Sequence, residues 1–162
     1  MLYDLCSAHP THDEVEYIAS KIWLIGRAYA AAIERRRECR NIGNDAFYER
    51  NVAWFIKSRR IDRWISKAAW HQSISSESLP DILDVHCTLT ALFKEISGSD
   101  KRSLASKYLH FHFPALFFIY DTRAVWALRQ LIGQTKQPSV STAHDPEYAR
   151  FVGEVSKPTG AT

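Results

Sequence analysis

Apolar residues recur at intervals of three and four along most of this chain, and this spacing is the strongest constraint on its fold. The first such run contains Val15, Ile18, Ile22, Ile25, Tyr29 and Ile33. This period places apolar side chains on one face of an α-helix. Four alanines between positions 28 and 32 favour the same conformation. The pattern predicts one long helix over residues 13–38, whose last turn carries three arginines that suit the helix dipole.

Further runs with the same spacing follow, separated by glycine, proline or capping residues. They predict helices over residues 45–56, 61–69, 80–97, 99–112, 121–132 and 145–156. The residues expected to face inward on the helix at 121–132 are Val125, Leu128, Leu131 and Ile132. The apolar run 115–120 is expected to form a buried connector or a short strand.

The composition agrees with a helical core. Six glycines and six prolines leave long elements uninterrupted, and five tryptophans, seven tyrosines and eight phenylalanines supply large surfaces to bury. We therefore predict an all-α fold, a single-domain bundle of about seven helices over residues 1–157, with residues 158–162 as a frayed tail.

Charge is unevenly distributed along the chain. The formal net charge is +3, but residues 1–20 contain four acids and no Lys or Arg, whereas residues 35–67 contain ten bases and four acids. A basic segment in a nearly neutral chain is typical of a polyanion-binding surface or of a solvated helix face. If it binds nucleic acid, its candidate contacts include Arg59, Arg60 and Arg63.

The three cysteines, Cys6, Cys39 and Cys87, form no metal-ligand or disulfide pattern. His110 and His112 are two residues apart and diverge on a helix, so we expect no metal site and no cofactor. The N-terminus has no signal-peptide pattern, and no apolar stretch is long enough to cross a membrane. We predict a soluble cytoplasmic protein with reduced cysteines.

The residues that suggest chemistry lie between positions 98 and 133. Lys107 and His110 are one turn apart on the predicted helix 99–112 and are therefore neighbours. Asp121 follows an apolar run and precedes a helix, where its carboxylate is held ionised by the helix dipole. Such an anion can stabilise a developing cation or orient a water molecule. Asp is also a preferred helix cap, which is the structural alternative for this residue.

This segment resembles the core of the helix-hairpin-helix DNA glycosylase superfamily. The resemblance is carried by Gly98 and by the run Asp121-Thr-Arg-Ala-Val-Trp-Ala-Leu-Arg-Gln-Leu-Ile-Gly133. It implies an all-α fold, a catalytic role for Asp121 and a lysine nucleophile near Lys101 or Arg102. The hairpin itself differs, because Asp100 stands where the family has a second glycine, and a carboxylate there repels phosphate.

Three functions are consistent with these residues. The first is a DNA glycosylase-like protein that excises or recognises a modified base flipped out of the helix, with Arg102, Arg123 and the basic segment on phosphates. The second is a non-catalytic all-α module that binds DNA, RNA or a protein, and the altered hairpin favours it. The third is a nuclease- or toxin-like protein with His110, Lys107 and Arg123 as acid–base and phosphate-binding groups.

Overall fold

The computed structural model describes residues 1–34, 46–132 and 144–156, which form eight α-helices and a π-helical segment without a β-strand. The α-helices are α1 (Leu2–Ala8), α2 (Val15–Ala28), α3 (Trp54–Ser58), α4 (Asp62–Ala69), α5 (Leu79–Ser97), α6 (Arg102–His112), α7 (Thr122–Ile132) and α8 (Pro146–Val155). The π-helical segment Phe47–Ala53 leads directly into α3. The predicted all-α architecture is confirmed. The predicted tail lies outside the described residues, as do Arg35, Arg36, Arg37, Cys39 and Arg40.

The main core lies between α2, α5 and α6, with α1 packed on α2 and α6. Its centre is made of the buried side chains Ile18, Ile22, Ile25, Leu89, Phe93, Leu104 and Leu109. Burying each of these apolar side chains contributes about 1.5–3 kcal/mol. None of the helices in the described ranges is long and apolar enough to cross a membrane.

A smaller cluster forms where α8 packs on α7 and on Leu79 and Leu83 at the start of α5. The His86 ring is fully buried and stacks on Tyr148, with ring centroids 3.5 Å apart and planes 9° from parallel. Neither ring nitrogen has a hydrogen-bond partner among the described residues. Burial lowers the pKa of His86 to about 3, although the Asp145 carboxylate opposes the shift.

The long helix predicted over residues 13–38 is wrong at its C-terminal end, because α2 ends at Ala28. The chain then turns through Ala30, whose φ is +54°. The turn folds the next residues back onto α2 at Gly26, where an added Cβ would lie 2.9 Å from the Tyr48 hydroxyl. Tertiary packing at this point outweighs the helix propensity of the alanines.

Most of the helix boundaries set by local residues are where the sequence predicts them. Gly98 ends α5 with φ +72°, and Asp145 caps α8 by accepting bonds from two backbone N–H groups. The helix predicted over residues 99–112 begins later than expected, because α6 starts at Arg102, after Lys101 and without a side-chain cap. The carboxylate of Asp100 instead lies 3.1 Å from Lys94 Nζ. Residues 115–120 form a connector, not a strand.

Helix α7 is more exposed than its sequence predicts. Val125 and Leu128 are half-buried against α8, as expected, but Leu131 is 82% exposed and the expectation that it faces inward is wrong. The helix contacts the rest of the molecule on one side only, so that its apolar stripe is wider than the surface that covers it. The side chain of Ile132 is outside the described part of the chain.

Candidate functional site

Asp121 stands at the N-terminus of α7 and is bound from two sides. Its Oδ1 accepts hydrogen bonds from the backbone N–H groups of Arg123 (3.0 Å) and Ala124 (2.9 Å), and its Oδ2 lies 3.1 Å from Lys107 Nζ. Burial raises the pKa of the Asp121 carboxyl, but these N–H groups and the Lys107 ammonium outweigh burial and hold the pKa below its usual value. The group is therefore a rigid anion at neutral pH.

Lys107 connects this carboxylate to the end of α2. Its side chain is buried, and its Nζ also donates a hydrogen bond of 2.8 Å to the backbone carbonyl of Tyr29. Lys107 lies close to Asp121 because the connector 113–120 returns along α6, where the Tyr120 N–H donates to Ser106 Oγ. With three acceptor positions occupied, the Asp121 carboxylate retains one lone pair for a further ligand.

His110 lies one turn further along α6 and pairs with a tyrosine that the sequence analysis did not identify. Its Nδ1 donates to the carbonyl of Phe117 (2.7 Å), which leaves Nε2 as an acceptor for the Tyr3 hydroxyl, also at 2.7 Å. Tyr3 comes from α1, a seven-residue helix whose only sequence signal is the spacing of its two buried residues, Leu2 and Cys6.

Aromatic rings extend this surface. Tyr3 and Tyr29 are exposed, and both rings pack against Phe111, with centroid distances of 4.8 and 4.9 Å. The ends of α1 and α2 thus place two exposed tyrosines beside the polar face of α6. We call Asp121, Lys107, His110, Tyr3 and Tyr29 the α6 site.

Lys101 lines a separate shallow cleft of about 220 Å³ that also includes Ala30, Ala31, Ala32, Ser99, Asp100, Ser103 and Leu104. Asp121 is not part of that lining. Ser103 is one helical turn before Lys107, so the cleft and the α6 site follow one face of α6. The structure therefore brings Lys107 to Asp121 and places His110 nearby, while Lys101 faces the adjoining cleft.

Some of the arginines predicted to bind nucleic acid form ion pairs with carboxylates, and others are exposed without such a pair among the described residues. Arg102 bonds to Asp145 (2.5 Å) and Glu147 (2.9 Å) and so ties α6 to α8. Arg59 pairs with Glu95 at the surface. The side chains of Arg60, Arg63 and Arg123 are exposed, with no ion pair to the described residues. Arg102 thus has two carboxylate partners and is mostly covered, Arg59 has one partner at the surface, and the other three are exposed and can reach a ligand.

A buried polar network that the sequence analysis missed lies on the other side of Tyr108. His12 donates its backbone N–H to Asp62 Oδ2 (3.0 Å), and its Nδ1 lies 2.6 Å from Asp62 Oδ1. His12 Nε2 accepts from the Tyr108 hydroxyl at 2.6 Å. Burial lowers the pKa of His12, and Asp62 offsets only part of the shift.

Lys21 extends the network and is itself fully buried. Its Nζ donates to the carbonyl of His9 and lies 3.2 Å from His112 Nε2, while His112 Nδ1 donates to the carbonyl of Tyr108 (2.9 Å). Burial, reinforced by the Lys21 charge, lowers the pKa of His112 to about 3. The network fastens the segment after α1 to α2, α4 and α6.

Other chemistries find less support in the described residues. No group of three His, Cys, Asp or Glu side chains within the described ranges could hold a metal ion. Cys6 and Cys87 are free thiols, and burial raises the pKa of Cys6 to about 11, which makes it a poor nucleophile.

Comparison of the chain with models of protein families, with curated proteins and with solved structures gave no match.

Proposed function

We propose that this chain is a DNA glycosylase-like protein that removes a modified base, with the α6 site around the sugar of the target nucleotide. In this reaction the bond between the base and C1′ breaks, and its electron pair leaves with the base. Water adds to the cationic C1′ and its proton passes to the departing base. The Asp121 carboxylate stabilises the cation and orients the water.

The observation that carries this proposal is the exposure of Asp121. Asp145 is built in the same way: it caps a helix and pairs with a cation, Arg102. The Asp145 side chain is 9% exposed, whereas that of Asp121 is 29% exposed. The Asp121 carboxylate therefore has an edge that a ligand can reach, whereas the Asp145 carboxylate is almost fully covered.

The expected contribution of Asp121 follows from Coulomb's law. An anion about 4 Å from a developing cation contributes about 4 kcal/mol near a protein surface, or about 10³-fold in rate. Lys107 neutralises part of this field. We therefore expect loss of the Asp121 charge to slow base release by about 10²-fold.

The surroundings of Asp121 suit a nucleotide. Arg123 is exposed and begins the same helix, where it can contact a phosphate. Trp126 is exposed one turn further on, and Tyr3 and Tyr29 offer rings for stacking on a base. These groups support a nucleic-acid substrate over a small uncharged one.

The test is base release from a panel of oligonucleotides that carry deaminated, oxidised or alkylated bases, with abasic sites detected by alkaline cleavage. We expect release from at least one substrate and about 10²-fold slower release by Asp121→Asn, which keeps the helix cap but removes the charge. Asp145→Asn is the matched control and should retain the activity. Absence of release across the panel, or equal rates for Asp121→Asn and the unmodified chain, would refute the proposal.

A further inference from the structure

The segment from Arg50 to Trp70 is the most strongly charged part of the described chain. It contains six bases and a single acid, Asp62. That acid is held by His12, through both the backbone N–H and the imidazole. The Asp62 side chain is 40% exposed and keeps its charge, but the bases exceed it by five, so the outer surface of this segment is cationic.

Helix α4 arranges part of this charge around an exposed tryptophan. Its buried residues are Ile65 and Ala68. On the opposite side, Arg63, Lys67 and Trp70 follow at intervals of four and three residues and so share one face. Trp70 is 85% exposed. We call these three residues the α4 outer face.

An indole this exposed is unusual, because tryptophan is normally largely buried. Trp54 in α3 repeats the arrangement: it is exposed and lies between Arg50 and Lys57 in the sequence, with Lys57 Nζ 5.7 Å from its ring centroid. Two consecutive helices thus present an exposed tryptophan flanked by bases.

The bases form a row along the neighbouring helix α5. Arg59 reaches Glu95, and Lys67 lies 3.1 Å from Asp84. Glu95 and Asp84 are eleven residues apart in α5, which corresponds to about 16 Å. Both ion pairs are about half exposed, and such pairs contribute little to stability. Phosphate groups can therefore displace the carboxylates.

We propose that the α4 outer face binds a single-stranded nucleic acid. The cations along α5 contact phosphates at intervals along one strand, and Trp70 stacks on an unpaired base. Bases of a duplex are already stacked on one another and cannot cover the indole, so a single strand is the better ligand. This surface contains none of the residues of the α6 site, and the proposal requires no reaction at Asp121.

The test is the binding of a fluorescein-labelled oligothymidylate, followed by anisotropy at several salt concentrations. We expect the logarithm of the association constant to fall linearly with the logarithm of the salt concentration. The slope should be about −2 for three phosphate contacts. Trp70→Ala should weaken binding by about tenfold or more. Arg63→Gln should reduce the slope by about 0.7. Circular dichroism of each variant verifies that the fold is retained.

Matched controls distinguish binding at the α4 outer face from non-specific binding to the positive charge of the chain. Trp23→Ala removes an exposed tryptophan beside Arg27, and Arg129→Gln removes an exposed base on α7; both should bind like the unmodified chain. Asp121→Asn should also bind normally, whether or not the chain releases a base. Absence of binding at low salt, equal affinity for a duplex or for polyglutamate, or unchanged binding by Trp70→Ala would each overturn the proposal.

Discussion

The buried ring of His86 makes the stability of this protein sensitive to acid. Because its pKa is about 3 in the folded chain and about 6.5 when unfolded, the unfolded state binds a proton more readily than the folded state between these values. The stabilising effect of the neutral ring is fully present above about pH 6.5 and is lost as the pH falls below it. Replacing His86 with Phe retains a flat ring against Tyr148 and removes the proton-binding site.

The magnitude follows from proton linkage. For one such histidine, the free energy of unfolding falls by about 1.4 kcal/mol for each pH unit below about 6.5. The total loss at pH 5 is about 2 kcal/mol. His112, whose pKa is also about 3, adds a similar amount. The unmodified chain should therefore lose about 4 kcal/mol between pH 7.5 and pH 5 from these two rings, and His86→Phe about half of that.

The measurement is the free energy of unfolding in urea, followed by circular dichroism at several pH values between 5 and 8. His9→Phe is the matched control, because His9 also stacks on a tyrosine, Tyr17, but is partly exposed. It shows how far replacing a stacked histidine by Phe changes the slope when the ring is not fully buried. Only the slope of the stability against pH is diagnostic, since the larger ring of Phe also shifts the stability at every pH. An unchanged slope in His86→Phe would show that His86 does not cause the acid sensitivity.

Two further substitutions test the packing. Gly26→Ala places a Cβ 2.9 Å from the Tyr48 hydroxyl, so we expect it to lower the free energy of unfolding by about 1–3 kcal/mol; an unchanged melting temperature would contradict the close approach. Tyr108→Phe leaves His12 Nε2 without its donor, and we expect a loss of about 1–3 kcal/mol in urea unfolding. A neutral effect would show that the hydroxyl does not satisfy His12.

Local chemistry accounts for the parts of the structure that the sequence predicts well. Asp121, Gly98 and Asp145 mark helix ends because capping depends on residues within one turn. The spacing of Lys107 and His110 on α6 also follows from the helix alone. These features require no knowledge of how distant segments pack.

The features that were missed depend on contacts between distant residues. His12 meets Asp62 and Tyr108, which are 50 and 96 residues away in the sequence. Tyr3 reaches His110 across 107 residues. The early end of α2 depends on the approach of Tyr48 to Gly26. Periodicity indicates which face of a helix is apolar, but not which helix covers that face. For the same reason it does not predict the exposure of Leu131, which no other helix covers among the described residues.

The buried network around His12 also has a consequence for the order of folding. Contacts between residues far apart in the chain require the closure of long loops, and their entropic cost delays them relative to local helix formation. We therefore expect the bonds from His12 to Asp62 and Tyr108 to form after α4 and α6 have docked on α5. Interactions that form after the transition state act chiefly on the unfolding rate. We therefore expect the network to lower the unfolding rate of the chain more than it raises the folding rate.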